Sequence, residues 1–510
     1  MTFEDLLKQH EVMLQQHAEA MRRMEARLAE KDAEIARLKR LLFGRKSEKS
    51  APPPDPTSPQ LDLFGAQGEA TPEEIREETS EPKRERRPAP RRPIPADLPR
   101  EVIRIDVSPE EKICPCCGGE RHPIGEDVTE KIALKPASLY VKRFVRTRYA
   151  CSHCKDAVVQ APLPAMPLDR AAAHASLLAY IVISKYADHL PLCRMERIFG
   201  RIGIDLPRRK TCGWMMELAN LCGPLVDLMA RLVRERAYVI NVDETPLPRL
   251  EPGAKKTKEC RVWVYHGDDR APYTVYDFQE TRGRAGPLGM LDGYAGWIQS
   301  DDYGVYTSIH MRAGPDPDSP PARWKHLLCW AHARRKFVEA KDAGDARARE
   351  AIDIIGRLYG VERDAASLTP EARLEVRKAK SLPILDELEA WMKGPLGVVP
   401  KSPLGKAIAY TQGNWAKLTV YTTDGRLPID NNAVERAIRP IAVGRRNWLF
   451  AGSERGGEAA ATFFTLIESA RRAGLNLWEY LTDLLERLPA HPVNRLEELL
   501  PDRWKPAAQG

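Results

Sequence analysis

Apolar residues recur at every seventh position through the N-terminal part of the chain. The positions are Leu7, Leu14, Met21, Leu28, Ile35 and Leu42, in a stretch without Pro or Gly between residues 3 and 43. A sustained seven-residue repeat predicts a coiled coil over residues 1–43, through which copies of the chain form a homo-oligomer. The alternative is a long amphipathic helix that folds back onto its own protein.

The next segment, residues 44–100, has the composition of a linker. Twelve of the 50 residues from 51 to 100 are Pro, and many of the others are charged. Such a segment lacks the apolar side chains needed to form a core, so we predict a disordered linker rich in Pro and charge.

Helical periodicity dominates residues 166–232. It predicts a short helix at 192–199, a Gly-containing turn at 200–206, and a second helix that opens at Pro207. The first turn of the second helix carries Arg208, Arg209 and Lys210. Two short helices across such a turn are typical of a helix-turn-helix that places its second helix in the major groove of DNA. Plain helical packing is the alternative.

Apolar runs of strand length follow from residue 237 onward. They predict strands at 237–243, 261–267, 272–279, 297–301 and 326–330, and helices at 283–291, 305–311 and 331–343. This order matches a ribonuclease H-like fold, in which the first and fourth strands lie side by side. We therefore expect the first part of a catalytic α/β core at residues 233–345.

A charged and mostly helical block occupies residues 346–428 and reads as an insertion that either grips DNA or covers the sheet. Residues 429–470 are predicted to complete the core with a helix that begins near Asp430 or Asn431, both favourable N-cap residues. Pro440 predicts that this helix is short or kinked. A helical C-terminal segment is expected at residues 471–510.

Composition narrows these expectations further. At 510 residues with 43% hydrophobic content, the chain is long enough for several folding units. No apolar run reaches the ~18 residues of a membrane helix, and the N-terminus lacks the pattern of a signal peptide. We expect a cytoplasmic, nucleoid-associated protein without a membrane partner. The net charge of +7 is compatible with a polyanionic partner.

Two C-x-x-C pairs indicate a metal site in the segment at residues 101–165. Their outer cysteines, separated by 33 residues, are Cys114, Cys117, Cys151 and Cys154. Each pair turns tightly enough to place two thiolates on one tetrahedral Zn²⁺. Cys116 and His153 remain alternative ligands, and reduced cysteines without metal are the alternative interpretation.

Three acidic residues at the ends of predicted elements suggest a second metal site. Asp243 ends the first strand of the core, Asp301 follows the fourth, and Glu435 lies at the start of a helix. Gathered carboxylates are the ligands that Mg²⁺ or Mn²⁺ prefers. Because successive strand residues face opposite sides, Glu244 competes with Asp243, and Asp302 with Asp301.

Basic residues flank the predicted acidic site. Arg436, Arg439, Arg445 and Arg446 follow Glu435, with Trp448 close behind. Arginines suit phosphate contacts and Trp stacks on exposed bases, although a packed Trp beneath solvated charges is an equal alternative. His332 and Arg335, just after the fifth strand, are candidates to hold a scissile phosphate.

Several long blocks of sequence resemble bacterial transposases of the insertion-sequence-sixty-six family. The blocks are LLFGRKSE at 41–48, DETP at 243–246, CWAHARR at 329–335 and DNNAVERAIRP at 430–440. The resemblance implies a DDE transposase with a ribonuclease H-like core, whose triad is Asp243, Asp301 and Glu435. It favours Asp301 over Asp302, because the second acid of the family falls two residues before a Tyr, here Tyr303. Asp302 departs from the Gly that is common in the family.

The expected activity is metal-dependent DNA transposition. The protein is predicted to bind the terminal inverted repeats of an insertion sequence, nick their 3′ ends and join them to target DNA by two-metal phosphoryl transfer. Partners would be double-stranded DNA, further copies of the chain and accessory proteins of the same element. The alternatives are a catalytically silent DNA-binding derivative of a transposase and a host ribonuclease H-like nuclease.

Overall fold

The computed structural model describes residues 139–149, 159–254, 256–311 and 321–506. The predicted coiled coil, the linker and the four cysteines proposed as zinc ligands lie outside the described residues. The elements described next belong to the unit that extends from Arg143 to Gly510.

A five-stranded mixed sheet forms the centre of this unit. Its strands are β3 (Val239–Pro246), β4 (Arg261–Gly267), β5 (Thr274–Gln279), β6 (Trp297–Ser300) and β7 (Lys325–Leu328), in the order β5-β4-β3-β6-β7. Strand β4 runs antiparallel to its neighbours β3 and β5, whereas β6 and β7 run parallel to β3. A separate pair, β1 (Arg148–Tyr149) and β2 (Val159–Gln160), precedes it. All five strands predicted for the core are confirmed.

The adjacency of the first and fourth core strands is also confirmed, with Ile240 opposite Ile298. The side chains of Val239, Ile240 and Val242 are buried, as expected for a central strand covered on both faces. Because both strands run in the same direction, their carboxyl ends meet at one edge, and residues that follow them lie close together.

Fourteen α-helices occur among the described residues. The first eight are α1 (Ala175–Val182), α2 (Leu192–Arg201), α3 (Arg208–Arg236), α4 (Ala285–Leu291), α5 (Gly304–Met311), α6 (Trp330–Asp342), α7 (Ala348–Asp364) and α8 (Pro370–Val376). The remaining six are α9 (Leu382–Lys393), α10 (Pro403–Gly413), α11 (Trp415–Thr419), α12 (Asn432–Trp448), α13 (Glu454–Arg472) and α14 (Leu477–Arg487). None of the helices in the described ranges is long and apolar enough to cross a membrane.

The helices before the sheet differ from the predicted pair of short helices. The expected turn is present, and α3 begins directly after Pro207, but α3 is 29 residues long. Its apolar side chains, among them Met215, Leu218, Leu225 and Leu232, are buried in the main core. The prediction of a short second helix is therefore wrong: this apolar stripe stabilises α3 far beyond its exposed basic first turn.

The helix that carries Glu435 is longer than predicted. It runs for 17 residues, from Asn432 to Trp448, with Pro440 inside it. The helix is therefore not short, and the kink given as the alternative stays a prediction. Proline removes one backbone donor, which would have paired with the carbonyl of Arg436. Buried residues on both sides of the proline, among them Val434, Ala437 and Ile441, hold α12 against the main core despite the missing bond.

The predicted insertion is helical, as expected, and packs against the β7 side of the sheet. A second hydrophobic core joins Leu327 of β7 and Phe337 of α6 to Ile355 and Leu388 of the insertion. Arg377 is 1% exposed and stacks on Tyr421, and its guanidinium binds Glu362 over 2.7 Å. The insertion thus contributes its own buried core and covers one edge of the sheet.

Candidate functional site

The three predicted acids come from separate elements and share one electrostatic environment. Asp243 is on β3, Asp301 follows β6, and Glu435 lies in the first turn of α12. Burial, together with the negative charges of Glu244, Asp301 and Glu435, raises the pKa of Asp243 to about 7. The described structure therefore brings Asp243, Asp301 and Glu435 near one another despite their separation in sequence.

The two competing acids have different partners. Glu244 is buried and accepts a hydrogen bond from Nε of Arg282, whose guanidinium stacks 3.9 Å from the ring centroid of Tyr303. Burial still raises the pKa of Glu244 despite the adjacent Arg282. Asp302 is exposed and accepts a 2.8 Å hydrogen bond from Asn414, which precedes α11. Glu244 and Asp302 thus have protein partners of their own.

Glu435 faces two basic side chains of α6. Nε2 of His332 lies 3.8 Å from Oε1 of Glu435, and Nη2 of Arg335 lies 3.8 Å from Oε2. Burial lowers the pKa of His332, so its imidazole is neutral near pH 7. Sequence reasoning associated His332 and Arg335 with the site, and the structure places both against Glu435.

Cys329 completes a tight group with these residues. Ligand atoms of Cys329, His332 and Glu435 lie within 4.8 Å of one another, and no other group of this kind occurs in the described ranges. The carboxylate oxygens of Asp243, Asp301 and Glu435 therefore do not all lie within 4.8 Å of one another. Burial raises the pKa of the Cys329 thiol to about 12, and its sulfur accepts a 3.1 Å hydrogen bond from the backbone N–H of Asn431. In this environment Cys329 is a neutral thiol that positions the start of α12.

Three buried amides hold the Glu435 helix against the sheet. Nδ2 of Asn241 donates to Oε1 of Gln299 over 2.8 Å and to Oδ1 of Asn431 over 2.9 Å. Nδ2 of Asn431 donates to the carbonyl of Val242, and Nε2 of Gln299 donates to the carbonyl of Pro428. These bonds fix the segment before α12 to β3 and β6, beside Asp243 and Asp301.

Sequence reasoning missed the roles of Asn241 and Gln299. The available signal was a single amide inside each apolar strand, in the runs Tyr-Val-Ile-Asn-Val and Trp-Ile-Gln-Ser. A buried amide requires partners, which points to a nearby polar element. Asn431 was predicted as an N-cap and does precede α12, but its side chain makes no capping bond and instead joins this cluster.

Two features of the site test whether it suits a divalent cation. The carboxyl of Asp243 is buried and surrounded by acids, which makes its ionised form costly without a positive charge. Oε1 of Glu435 is buried and makes no hydrogen bond. Carboxylate oxygens in such surroundings are suitable ligands for Mg²⁺ or Mn²⁺. The residues present fit such an ion.

The basic residues after Glu435 divide into two groups. Arg436, Arg439 and Arg446 are exposed and recur at helical spacing along one face of α12. Arg445 is directed inward, because its Nη1 donates to the carbonyl of Pro246 over 2.7 Å. Trp448 packs partly buried against the main core, which favours the packed alternative for this side chain. The side chains of Arg208, Arg209 and Lys210 are exposed in the first turn of α3.

The sheet and its acidic edge place the molecule among mixed α/β proteins whose charged site lies at the ends of adjacent parallel strands. Comparison with known families then assigns it. The family described as "Transposase IS66 family" matches residues 170–459, so the chain belongs to the IS66 (insertion-sequence-sixty-six) transposase family. The predicted family resemblance is confirmed.

Three further matches cover other parts of the chain. Residues 111–155 match the zinc-finger binding domain of transposase IS66, and residues 465–501 match the IS66 C-terminal element. Residues 32–103 match a model described as "Transposase C of IS166 homeodomain". Together these matches support a transposase with a zinc-finger segment before its described core.

Similar proteins occur in Sinorhizobium fredii (strain NBRC 101917 / NGR234). "Uncharacterized protein y4jD" is 37% identical over 489 residues, covering 93% of this chain and 94% of the relative. "Uncharacterized protein y4hP" is 33% identical over 505 residues, covering 94% and 89%. "Uncharacterized protein y4qI" is 36% identical over 439 residues, covering 84% and 80%. The similarity thus extends over most of the chain.

Proposed function

We propose that this protein is a DDE transposase that nicks the 3′ ends of an insertion sequence and transfers them to target DNA. The single observation that carries the proposal is the proximity of Asp301 and Glu435 to Asp243, expressed in the raised pKa of Asp243. The strand order β5-β4-β3-β6-β7, with Asp243 on β3 and Asp301 directly after the adjacent strand β6, supports a ribonuclease H-like core. Membership of the IS66 transposase family points to the same reaction.

The site residues divide the chemistry between them. Asp243, Asp301 and Glu435 would hold Mg²⁺ or Mn²⁺, which would supply Lewis-acid stabilisation of the charge on the reacting oxygens. Asp243 would serve as a ligand in its ionised form, whose cost in this buried acidic site a positive charge would offset. Arg335, exposed beside Glu435, contacts the scissile phosphate. His332, neutral near pH 7, donates a hydrogen bond to the same phosphate.

The reaction consists of two in-line displacements at phosphorus. In the first, a water oxygen attacks the phosphate at the element end, the bond to the 3′ oxygen breaks, and that oxygen leaves as a 3′-hydroxyl. In the second, this hydroxyl attacks a phosphate of target DNA, and the 3′ oxygen of the target leaves. Each step forms one P–O bond and breaks one, so the protein never bonds covalently to DNA.

A row of arginines on α12 extends from the acidic site. Arg439 and Arg446 stand four and eleven residues after Glu435, which places them on the same stripe of the helix. With Arg436 they offer phosphate contacts that guide the duplex toward Glu435. The exposed Arg208, Arg209 and Lys210 of α3 supply a second DNA contact, as expected for the second helix of a helix-turn-helix.

Nicking of a duplex that carries the element's terminal inverted repeat tests this proposal. The wild-type protein is expected to release the 3′ end with Mg²⁺, whereas Asp243→Asn, Asp301→Asn and Glu435→Gln are each expected to lose most of the activity. Asp302→Asn is the matched control, because Asp302 hydrogen-bonds Asn414 outside the acidic cluster. Full activity in any triad variant would refute the assignment. Hydrolysis without strand transfer would instead favour a nuclease.

The remaining modules are proposed on the sequence pattern and the family matches. We infer that Cys114, Cys117, Cys151 and Cys154 bind one Zn²⁺, which the zinc-finger match at residues 111–155 supports. We further propose that residues 1–43 form a coiled coil that joins copies of the chain. Zinc content measured against protein concentration, and the mass of the particle with and without residues 1–43, test these two statements.

A further inference from the structure

The residue that ends the Glu435 helix has an unusual backbone. Leu449 has φ 64° and ψ −48°, and only His189 shares a positive φ among the non-glycine residues of the described ranges. The N–H of Phe450 donates to the carbonyl of Trp448 over 2.8 Å, which closes a tight three-residue turn around Leu449. Branched side chains avoid this conformation, so the surrounding structure must impose it.

Backbone hydrogen bonds hold the turn from both sides. The N–H of Leu449 donates to the carbonyl of Arg445 over 2.9 Å, and the N–H of Ala451 donates to that of Pro248 over 2.8 Å. The N–H of Leu250 in turn donates to the carbonyl of Ala451 over 2.8 Å. The turn is therefore anchored to α12 and to the segment that continues β3, and it presents its side chain in a fixed position.

The anchored turn presents apolar side chains to solvent. Leu449 is 63% exposed, the adjacent Phe450 is 37% exposed, and Leu250 on the neighbouring segment is 43% exposed. A strained backbone that only exposes a large apolar side chain gains nothing for folding, because burial is what rewards such residues. The arrangement is explained if a partner covers Leu449.

The charge on the same helix identifies that partner as DNA. Helix α12 carries Arg436, Arg439, Arg445 and Arg446 and a single acid, Glu435, at its opposite end. The exposed arginines line the path from Glu435 to Leu449. Such a basic row suits a phosphate backbone, and apolar side chains beside phosphate contacts are used by proteins to wedge base pairs apart.

We propose that Leu449 is a wedge that enters the stack of base pairs near the cleaved phosphate. This inference rests on the proposed function, because it takes Glu435 as the position of the cut. Leu449 follows Glu435 by 14 residues, or about 21 Å along the helix axis. At about 3.4 Å for each base pair, the wedge unstacks DNA within about six base pairs of the cut.

Fluorescence of 2-aminopurine, placed singly along a duplex that carries the inverted repeat, tests the wedge. The assay uses the full chain with Ca²⁺ in place of Mg²⁺. Ca²⁺ also prefers oxygen ligands but does not require strict octahedral coordination. Wild-type protein is expected to increase the fluorescence of 2-aminopurine within about six base pairs of the cut. Leu449→Ala and Leu449→Gly are expected to abolish the increase and to slow nicking with Mg²⁺ by about tenfold. Val493→Ala removes an apolar side chain that is even more exposed, at 79%, and lies outside α12, so it serves as the control.

Two further measurements separate the wedge from a structural role. Leu449→Gly is expected to keep or raise the melting temperature, because glycine accepts a positive φ without strain. A mismatch at the position that brightens is expected to restore nicking by Leu449→Ala, since that step is already unstacked.

The wedge is overturned if no probe brightens although wild-type protein binds and nicks the duplex, or if the mismatch fails to restore nicking. It is also overturned if Leu449→Ala changes only the self-association of the chain, which would mean that a second copy covers this surface. Local brightening without any nicking would uphold the wedge and reject the proposed enzyme, so the two failures are distinguishable.

Discussion

Replacing Asp243 by Asn is predicted to stabilise the protein when no divalent metal is added. The carboxyl is largely buried and its neighbours include Glu244, Asp301 and Glu435. Asparagine has nearly the same shape and its side-chain oxygen still accepts the hydrogen bond that the N–H of Glu244 makes over 2.8 Å. The substitution therefore removes a buried negative charge with little change in packing.

The magnitude follows from the pKa of Asp243. Its value of about 7 in the folded protein compares with 3.8 for an unperturbed Asp side chain, and this difference corresponds to roughly 4 kcal/mol. Between these two values the unfolded chain has released its proton and the folded protein still holds it. The contribution of Asp243 to the free energy of unfolding therefore falls as the pH rises from about 4 to about 7, and then stays level.

In the Asp243→Asn variant the side chain at this position is neutral at every pH, so the variant does not show this fall in the free energy of unfolding. We expect the variant to match the wild-type protein near pH 4 and to exceed it by up to about 4 kcal/mol at pH 8. Urea unfolding of the full chain at both pH values, without added divalent metal, measures the difference. Excess Mg²⁺ is expected to stabilise only the wild-type protein, and so to reduce the difference in free energy of unfolding between the two proteins at pH 8.

Asp302→Asn is the control for these measurements. Asp302 is exposed, so its replacement should leave the pH dependence unchanged. The reasoning would be refuted if Asp243→Asn were less stable than the wild-type protein at pH 8, or if the two proteins differed equally at both pH values. Either result would mean that Asp243 is not held at a raised pKa by burial among acids.

Three other substitutions test how the fold supports the site. Arg377→Met is expected to cost about 3–5 kcal/mol in urea unfolding, because it leaves Glu362 unpaired where it is only 15% exposed; adding Glu362→Gln should recover part of that loss. Gly457→Ala is expected to cost about 1–3 kcal/mol, since a Cβ atom there would lie 2.6 Å from the ring of Phe278, and Phe278→Leu should relieve it. Asn241→Leu deprives two buried amide oxygens, those of Gln299 and Asn431, of their donor. We expect the free energy of unfolding to fall by about 1–3 kcal/mol for each oxygen. We also expect the rate of 3′-end nicking to fall by more than the unfolded fraction of the protein explains.

Most elements of the core follow from local patterns in the chain. The strand at Arg261–Gly267 has the predicted bounds, and those of the other core strands differ by a few residues at most. Alternation and apolar runs are local properties of the sequence. They predict the strands correctly because the apolar residues on which the prediction is based are buried in the folded sheet. Asp243 and Asp301 could be proposed for a similar reason, since neighbouring parallel strands bring their carboxyl-terminal residues together, although β3 continues past Asp243 to Pro246.

The length of the helices depended on partners that lie far away in the sequence. Helix α3 extends to Arg236 because its apolar stripe is buried in the main core, and α12 continues past Pro440 because residues on both sides of the proline are buried in the same core. Helix propensities and capping signals are local, so they do not show how far each helix is supported by contacts with distant parts of the chain. They predicted where these helices begin far better than where they end.

Only the tertiary structure decided how the site is assembled. The chain pattern identified Glu435 as a candidate, but Asn241, Gln299 and Asn431 bring its helix to the sheet, because buried amides must find partners wherever the fold provides them. The same holds for Arg445, which pairs with a carbonyl at the end of β3, and for Leu449, whose backbone is fixed by hydrogen bonds to neighbouring segments. The sequence specifies which groups are present and the periodicity of each element. Their mutual distances depend on packing between residues that lie up to two hundred positions apart.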